Sequence, residues 1–232
     1  MSAGSDLHLK RIRAGREASI DGAQKRVFGG VQQQMEADYV IVAIPFSVLR
    51  KLELDSSFSA QKRTAISSLR YESVMRVYLQ SKRRFWADQG LSGNVFSSDL
   101  PIGLVVDHAA AQPGHRGILE AQMEHEKARR AKAMGQEERI IWTLGYMDKV
   151  HPGFSENFEG GTSFCWDDEP WSLGAWAYYA PGEVTGFYPH AAASERRIHF
   201  AGEHTSALGM TLEGAVESGL RAAHEVMSAS RL

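Results

Sequence analysis

The middle of the chain shows a clear two-residue alternation of apolar and polar positions. In residues 74–86, Arg76 and Tyr78 fall on one side of a predicted strand, whereas Val77 and Leu79 fall on the other. A strand of this kind separates a packed core from a more polar region. We therefore expect the apolar side to cover a core and the side with Arg76 to face a wet or functional cavity.

The N-terminal part carries two strand-like patterns. Residues 7–20 alternate at Leu7 and Leu9, which predicts a β-hairpin or meander. Residues 37–45, "ADYVIVAIP", form a continuous β-branched run that ends at Pro45. Such runs are typical of strands buried on both faces, so this segment is predicted to be a central strand.

Other elements follow from the same periodicities and from capping or breaking residues. They are a helix over residues 60–69, strands over 102–108 and 116–124, and a charged helix from His125 to Arg139 that continues to about Lys149. The aromatic stretch 164–184 is interrupted by Pro and Gly, and a strand and turn follow at 197–206. The result is a mixed region of helices and strands.

The last predicted helix runs from Thr211 to about Met227 and is built largely of small residues. An apolar stripe includes Leu212 and Val216, while Gly214 and Ser218 leave a low surface suited to close packing. One interpretation is tight packing of a terminal helix on a sheet. The other is a ligand oxygen held by the unpaired amides and positive dipole end of the helix start.

Composition narrows the classes of function. The 232 residues have a formal net charge of −2, which argues against broad affinity for nucleic acid. The single cysteine, Cys165, excludes an internal disulfide and a thiolate metal cluster, so we expect a cytoplasmic protein without a metal site. The longest apolar run, 39–49, is too short for a membrane span, and no secretory signal is recognised at the start.

A resemblance to a known family connects these segments. "RIHFAGEHTSALGMTLEGAVESGLRAA" resembles the C-terminal flavin motif of the FAD-dependent amine oxidases, the group of monoamine, polyamine and L-amino acid oxidases. "ADYVIVAIP", "YESVMRVYLQSKRRFW" and "CWDDEPWSLGAWAYYAPG" are similar to further segments of that family, in the family's order. The resemblance covers nearly the whole chain.

The resemblance implies FAD, held without a covalent bond, because Ala175 stands where some monoamine oxidases carry a flavin-linked cysteine. It also implies a set of cofactor-binding positions: Leu9 at the adenine, Trp166 and Trp171 as walls of the flavin, Gly202 and Glu203 along the pyrophosphate and ribityl chain, and Met210, Thr211 and Leu212 at the pyrimidine edge. In this interpretation Glu203 accepts a hydrogen bond from a cofactor hydroxyl. Core packing is the alternative for Leu9.

Substrate positions are implied in the same way, with two departures from the family. Trp176 matches one wall of the aromatic cage that flanks the amine, but Thr211 stands at the opposite wall and is not aromatic. Arg76 stands where the family often has a lysine that holds a water near the flavin. Its guanidinium is a candidate to hold water, a neighbouring acid or a substrate carboxylate, and a structural salt bridge is the alternative.

The implied reaction is oxidation of an amine or amino acid to the imine, with O2 reduced to H2O2. The expected fold class is α+β, with part of a Rossmann-like FAD-binding domain over residues 1–46, a substrate-binding domain with a mixed sheet over 47–189, and the C-terminal FAD-binding strand, turn and helix over 190–232. The chain contains no G-x-G-x-x-G motif, which a dinucleotide site needs.

Three hypotheses follow from the missing motif. The chain is a fragment or mis-started gene product of a full oxidase and inactive alone, or one subunit of a split enzyme completed by a separate N-terminal FAD-domain chain, or a catalytically inactive domain kept as a binding or interaction module. The first two retain the oxidase chemistry. The third is consistent with the residues at positions 76 and 211.

Overall fold

The computed structural model describes residues 8–9, 23–24, 37–52, 54 and 58–230. Its strands are β1 (His8–Leu9), β2 (Ala23–Gln24), β3 (Val40–Val42), β4 (Arg70–Tyr71), β5 (Val74–Ser81), β6 (Val95–Phe96), β7 (Leu104–Asp107), β8 (Gly117–Glu124), β9 (Phe158–Cys165), β10 (Ala177–Tyr178) and β11 (Ile198–Phe200). Its helices are α1 (Phe46–Leu49), α2 (Ala60–Ser68), α3 (Phe85–Asp88), α4 (His125–Lys132), α5 (Gln136–Val150), α6 (Phe154–Asn157), α7 (Glu183–Gly186), α8 (Tyr188–Ala192) and α9 (Leu212–Ala229). None of the helices in these ranges is long and apolar enough to span a membrane.

The described residues form two compact units. Residues up to Tyr71 and from Pro170 onward form unit 1, and Glu72–Glu169 form unit 2. The predicted division into FAD-binding and substrate-binding domains is a functional one and stays a prediction. The mixture of helices and sheets confirms the α+β fold class.

Unit 2 is built on a five-stranded antiparallel sheet with the order β6-β7-β8-β5-β9. The alternation in β5 has the predicted effect: Val77 and Leu79 are fully buried on one side, whereas Arg76 and Tyr78 are only partly buried on the other. The apolar side belongs to a core that includes Trp86 and Phe154, whose rings stack 6.1 Å apart. The predicted separation of a core from a more polar face is therefore observed.

Two predicted boundaries in unit 2 were wrong. The strand over residues 74–86 ends at Ser81, because the chain turns at Lys82–Arg84 and then forms the short helix α3. The charged helix is two helices rather than one, because Gly135 takes an extended conformation (φ −63°, ψ 159°) and starts α5 after a break. Helix α5 ends at Val150, one residue beyond the predicted end at about Lys149.

Unit 1 contains a two-stranded parallel sheet in which β3 pairs with β11. The predicted helix over residues 60–69 is confirmed as α2, and the Ser59 side chain caps it by accepting from the Lys62 amide. Phe46 and Phe200 pack edge to face in the core, with ring centroids 6.0 Å apart. The strand and turn predicted after residue 197 are also confirmed.

The prediction for residues 37–45 holds only in part. A strand is present, but among the described residues β3 pairs with β11 alone, and Ile41 is 44% exposed. The expected burial on both faces is therefore not observed among the described residues, since Val42 is buried and Ile41 is exposed. The hairpin over residues 7–20 lies mostly outside the described residues, although His8–Leu9 do pair antiparallel with Ala23–Gln24.

Candidate functional site

The turn after β11 requires a glycine for a packing reason. Gly202 has φ +123°, a conformation that residues with a side chain rarely adopt. A Cβ at this position would lie 2.5 Å from the ring of His204, which is buried beneath the turn. The Gly202 amide donates to Ser218 Oγ at 2.8 Å and so ties the turn to α9. The role of Gly202 along a pyrophosphate stays a prediction.

The Glu203 carboxylate joins three segments of unit 1. Its Oε1 accepts the Ala177 amide at 3.0 Å, and its Oε2 accepts the Met210 amide at 2.9 Å. Burial raises the pKa of this carboxyl, although the two amides work in the opposite direction. The turn, the aromatic stretch before Ala177 and the entrance to α9 are therefore held together by one side chain.

Helix α9 starts as predicted, one residue after its N-cap Thr211. The Thr211 hydroxyl accepts the Gly214 amide at 2.9 Å, and Met210 before it has φ +66°. A Cβ at Gly214 would lie 2.3 Å from the Leu208 carbonyl oxygen, so the close approach of the two backbone segments requires glycine at this position. Because the first amides of a helix have no intrahelical acceptor, the start of α9 offers hydrogen-bond donors at an exposed position, where Leu212 is 83% exposed.

The small-residue surface of α9 packs inward, and its apolar stripe does not. Ser218 and Ala222 are fully buried, which supports the packing interpretation for this side of the helix. Leu212, Val216 and Leu220 are 83%, 64% and 61% exposed. An apolar row of this kind on a helix normally has a packing partner.

The aromatic stretch contributes three predicted positions to unit 1. Trp171 is 40% exposed, and Ala175 and Trp176 are half-buried immediately before β10. Strand β10 pairs antiparallel with β4, where Ala177 lies opposite Tyr71. The backbone next to Trp176 is therefore fixed from two sides, by β4 and by Glu203.

A cavity of about 470 Å³ lies in unit 1 beside this carboxylate. Glu203 and Met210 contribute to its lining together with Tyr178, Tyr179 and Tyr188. The Tyr179 hydroxyl donates to the His204 carbonyl at 3.1 Å, which holds one wall in place. None of these tyrosines is among the site positions predicted from the sequence, and the sequence signal for them is the density of tyrosines in residues 178–188.

Arg76 and Trp166 belong to unit 2, on the polar face of its sheet. Arg76 lies opposite Phe164 of β9, and the Phe164 ring contacts the Trp166 ring edge to face at 5.0 Å. The Arg76 Nε lies 3.4 Å from Oε1 of Glu120, whose side chain is 3% exposed. The second Glu120 oxygen lies 2.7 Å from His108 Nε2. This geometry supports the salt-bridge alternative for Arg76, and no sequence pattern indicated Glu120 as its partner.

Leu9 lies in β1, opposite Ala23, and its predicted contact with adenine stays a prediction. Within the ranges that the structure describes, no group of three or more His, Cys, Asp or Glu side chains is arranged to hold a metal ion. The only cysteine of the sequence, Cys165, is buried in the core of unit 2. Burial raises the pKa of its thiol.

The local structure of unit 1 is compatible with the position that the resemblance implies for the pyrimidine edge of the flavin. A strand, a tight turn and the exposed N-terminal end of a helix follow one another from Ile198 to Leu212, with backbone donors at the helix start. Each Glu203 oxygen has one lone pair engaged by an amide and can accept a second donor. The residues that would hold the flavin here are Gly202, Glu203, Met210, Thr211 and Leu212.

Comparison with known proteins gives consistent matches. Residues 3–227 match the family model for flavin containing amine oxidoreductases. The chain is 37% identical over 195 residues to YobN of Bacillus subtilis (strain 168), which its name assigns provisionally to the L-amino-acid oxidases; the match covers 82% of this chain and 41% of YobN. It is 28% identical over 209 residues to an L-amino-acid oxidase of Gloydius halys, covering 84% of this chain and 39% of that protein.

Solved structures show the same fold. Cyclohexylamine oxidase from Brevibacterium oxydans IH-35A matches with a TM-score of 0.82 at 18% identity, over 96% of this chain and 48% of that one. A putrescine oxidase solved with putrescine bound matches with a TM-score of 0.80 at 23% identity, over 94% of this chain and 48% of that one. The chain thus spans about two fifths of the length of the curated relatives and about half that of the solved structures.

Proposed function

Because the chain belongs to the flavin containing amine oxidoreductase family, we propose that it supplies the C-terminal part of an FAD-dependent oxidase of amino acids. The family contains a flavin, which confirms the prediction of a flavin cofactor. The similarity to L-amino-acid oxidases favours an amino acid over a simple amine. The observation that carries the proposal is the strand, turn and helix from Ile198 to Ala229, with its exposed donors at the helix start.

FAD, when bound without a covalent link, supplies a two-electron acceptor: the amine is oxidised to the imine, and O2 takes up the electrons to give H2O2. The backbone at Met210, Thr211 and Leu212 would bind the pyrimidine edge. The positive end of the α9 dipole would stabilise negative charge there. Ala175 has no nucleophilic side chain for a covalent link, which supports non-covalent binding.

Three of the predicted residues are proposed as substrate contacts. Trp176 would form one wall beside the amine, and Thr211 would leave the other side open to a bulkier substrate. The guanidinium of Arg76 carries two terminal nitrogens beyond the Nε that faces Glu120, and these would bind the substrate carboxylate or hold a water. Trp166 and Trp171 would wall the flavin, and Leu9 would contact its adenine.

We propose in addition that an N-terminal FAD-domain chain or segment completes the site. The supporting observations are the exposed apolar row of Leu212, Val216 and Leu220 on α9, the exposed Ile41 on β3, and the half of the structural neighbours that this chain does not match. A soluble partner with the glycine-rich motif would cover these residues and supply the pyrophosphate site. The genomic sequence immediately upstream distinguishes a continuous reading frame from a separate one.

The alternative function is that of an inactive binding module. The observation that favours it is the ion pair between Arg76 and the buried Glu120, because a guanidinium held in this way is a structural element in many proteins. An inactive module would retain the fold without oxidising any amine.

The visible absorption spectrum of the purified chain, recorded with and without added FAD, tests the proposal. A bound oxidised-flavin spectrum that bleaches on addition of an L-amino acid, with release of H2O2, supports oxidase activity of this chain. Bleaching only in the presence of the N-terminal partner supports the split enzyme. A bound flavin that no amino acid or amine reduces, even with that partner present, would contradict the proposed oxidation and favour the inactive module.

A further inference from the structure

One carboxylate connects the two segments that carry the predicted walls of the substrate cage. The Ala177 amide, which Glu203 Oε1 accepts at 3.0 Å, belongs to the residue directly after Trp176. The Met210 amide, which Glu203 Oε2 accepts at 2.9 Å, belongs to the residue directly before Thr211. The Glu203 side chain therefore links these two segments directly.

The chemistry of this contact requires a carboxylate. An ionised Glu has two acceptor oxygens and no donor, and it can accept both amides at once. A Gln at the same position offers one acceptor and one NH2 group, so one of the two amides would face a donor. In addition, Met210 has φ +66°, an unusual conformation for a residue with a side chain, which the hydrogen bond to Glu203 helps to hold.

We infer that Glu203 is a positioning residue that fixes the distance between the Trp176 and Thr211 segments, and with it the width of the opening to the substrate amine. This inference rests on the proposed function for the meaning of the two walls. It differs from the hydrogen bond to a cofactor hydroxyl expected at Glu203, since both contacts are to backbone amides of the chain itself. The second lone pair of each oxygen leaves that hydrogen bond available as well.

Glu183 provides a matched control in the same unit. Its carboxylate also accepts a backbone amide of the aromatic stretch, that of Ala180 at 2.7 Å, and it pairs with the exposed Arg70 at 3.0 Å. Glu183→Gln therefore changes the same chemical group and the same kind of bond. It leaves both amides at Glu203 in place.

The experiment uses the whole chain labelled with 5-fluorotryptophan, observed by 19F NMR, with the Trp176 line assigned through Trp176→Phe. We expect Glu203→Gln to shift or split the Trp176 line. We also expect it to raise the hydrogen-exchange rate of the Ala177 or Met210 amide about tenfold or more, because a hydrogen bond to a charged group is lost. Glu183→Gln should leave the Trp176 line unchanged, and the Trp86 line in unit 2 reports the integrity of the fold.

A pH titration of the wild-type chain keeps the test independent of any variant. Protonation of Glu203 removes one acceptor, so the Trp176 line should move with a midpoint above the ordinary value for Glu. The nearby hydroxyls of Tyr71 and Tyr179 stay neutral in this range because burial raises their pKa values, and burial lowers the pKa of His204 to about 3. If the position of the Trp176 line changes neither in Glu203→Gln nor on acidification, the inference is overturned. If the Trp176 line responds as expected but the chain does not bind FAD, only the proposed function is overturned.

Discussion

Lys62 is a lysine whose side chain is removed from bulk solvent. Its side chain is fully buried in unit 1, its Nζ donates to the Ala191 carbonyl at 2.9 Å, and the ammonium lies 3.6 Å from the centroid of the Phe200 ring. One hydrogen bond and one aromatic face replace the water shell only in part. We therefore predict that Lys62→Met, which keeps the length of the side chain and removes the charge, stabilises the fold at neutral and acidic pH.

The size of the expected stabilisation follows from the pKa of Lys62. Desolvation lowers the pKa of Lys62 from 10.5 to about 7, although the carboxylates of Glu195 and Glu225 partly oppose this. At 1.36 kcal/mol for each pKa unit, the charged form costs the folded state about 5 kcal/mol as an upper bound. The variant loses the hydrogen bond and the contact with Phe200, about 1–2 kcal/mol together. The expected net gain at pH 6 is therefore at most about 3–4 kcal/mol.

The stability difference between the wild type and Lys62→Met changes with pH in a defined direction. Between pH 7 and 10.5 the unfolded chain binds a proton at Lys62 that the folded chain does not bind, so the stability of the wild type rises by about 1.4 kcal/mol per pH unit relative to the variant. Below pH 7 both states are protonated and the difference is constant. The advantage of Lys62→Met should thus be largest at pH 6 and should disappear toward pH 10.

Urea unfolding followed by circular dichroism between pH 6 and 10 measures this difference. Lys51→Met, at an exposed lysine of the same unit, is the control and should change the stability by less than about 0.5 kcal/mol at every pH. A wild type that is as stable as Lys62→Met at pH 6, or a difference that does not change with pH, would refute the reasoning from burial.

Three further predictions concern the strand, turn and helix. Gly202→Ala should lower the free energy of unfolding by about 2–4 kcal/mol in urea melts, because it adds a clash with His204 to the strain at φ +123°. The control Gly182→Ala, at φ +84° with open space around it, should lower the free energy of unfolding by about 1 kcal/mol. Thr211→Val should cost about 1 kcal/mol through loss of the N-cap, and Thr211→Ser should restore it; equal stability of both variants would contradict the cap. Val216→Lys should raise the solubility of the chain, measured by light scattering, because Val216 is 64% exposed in an apolar row, and unchanged solubility would contradict a role of that row in aggregation.

Local structure in this protein was largely predictable because short-range physics determines it. The alternation in β5 and the start of α9 beside Thr211 depend on residues within a few positions of one another. The family motif also indicated Gly202 and Glu203 from sequence alone. The two boundaries that were predicted wrongly, at Ser81 and Gly135, lie where the chain turns although the apolar pattern of the strand or helix continues.

Only the tertiary structure determined which side chains meet. The helical pattern of residues 60–69 gives no sign that Lys62 is buried, and no spacing links Arg76 with Glu120 or the Glu203 carboxylate with the amides of Ala177 and Met210. Arg76–Glu120 and Glu203–Ala177 join residues far apart in the chain, so they depend on strand register and on how helices pack, and the Glu203–Met210 contact depends on the fold of the turn between them. The sequence by itself determined the elements and the family, and the packing of those elements determined the partners and the charge states of the buried groups.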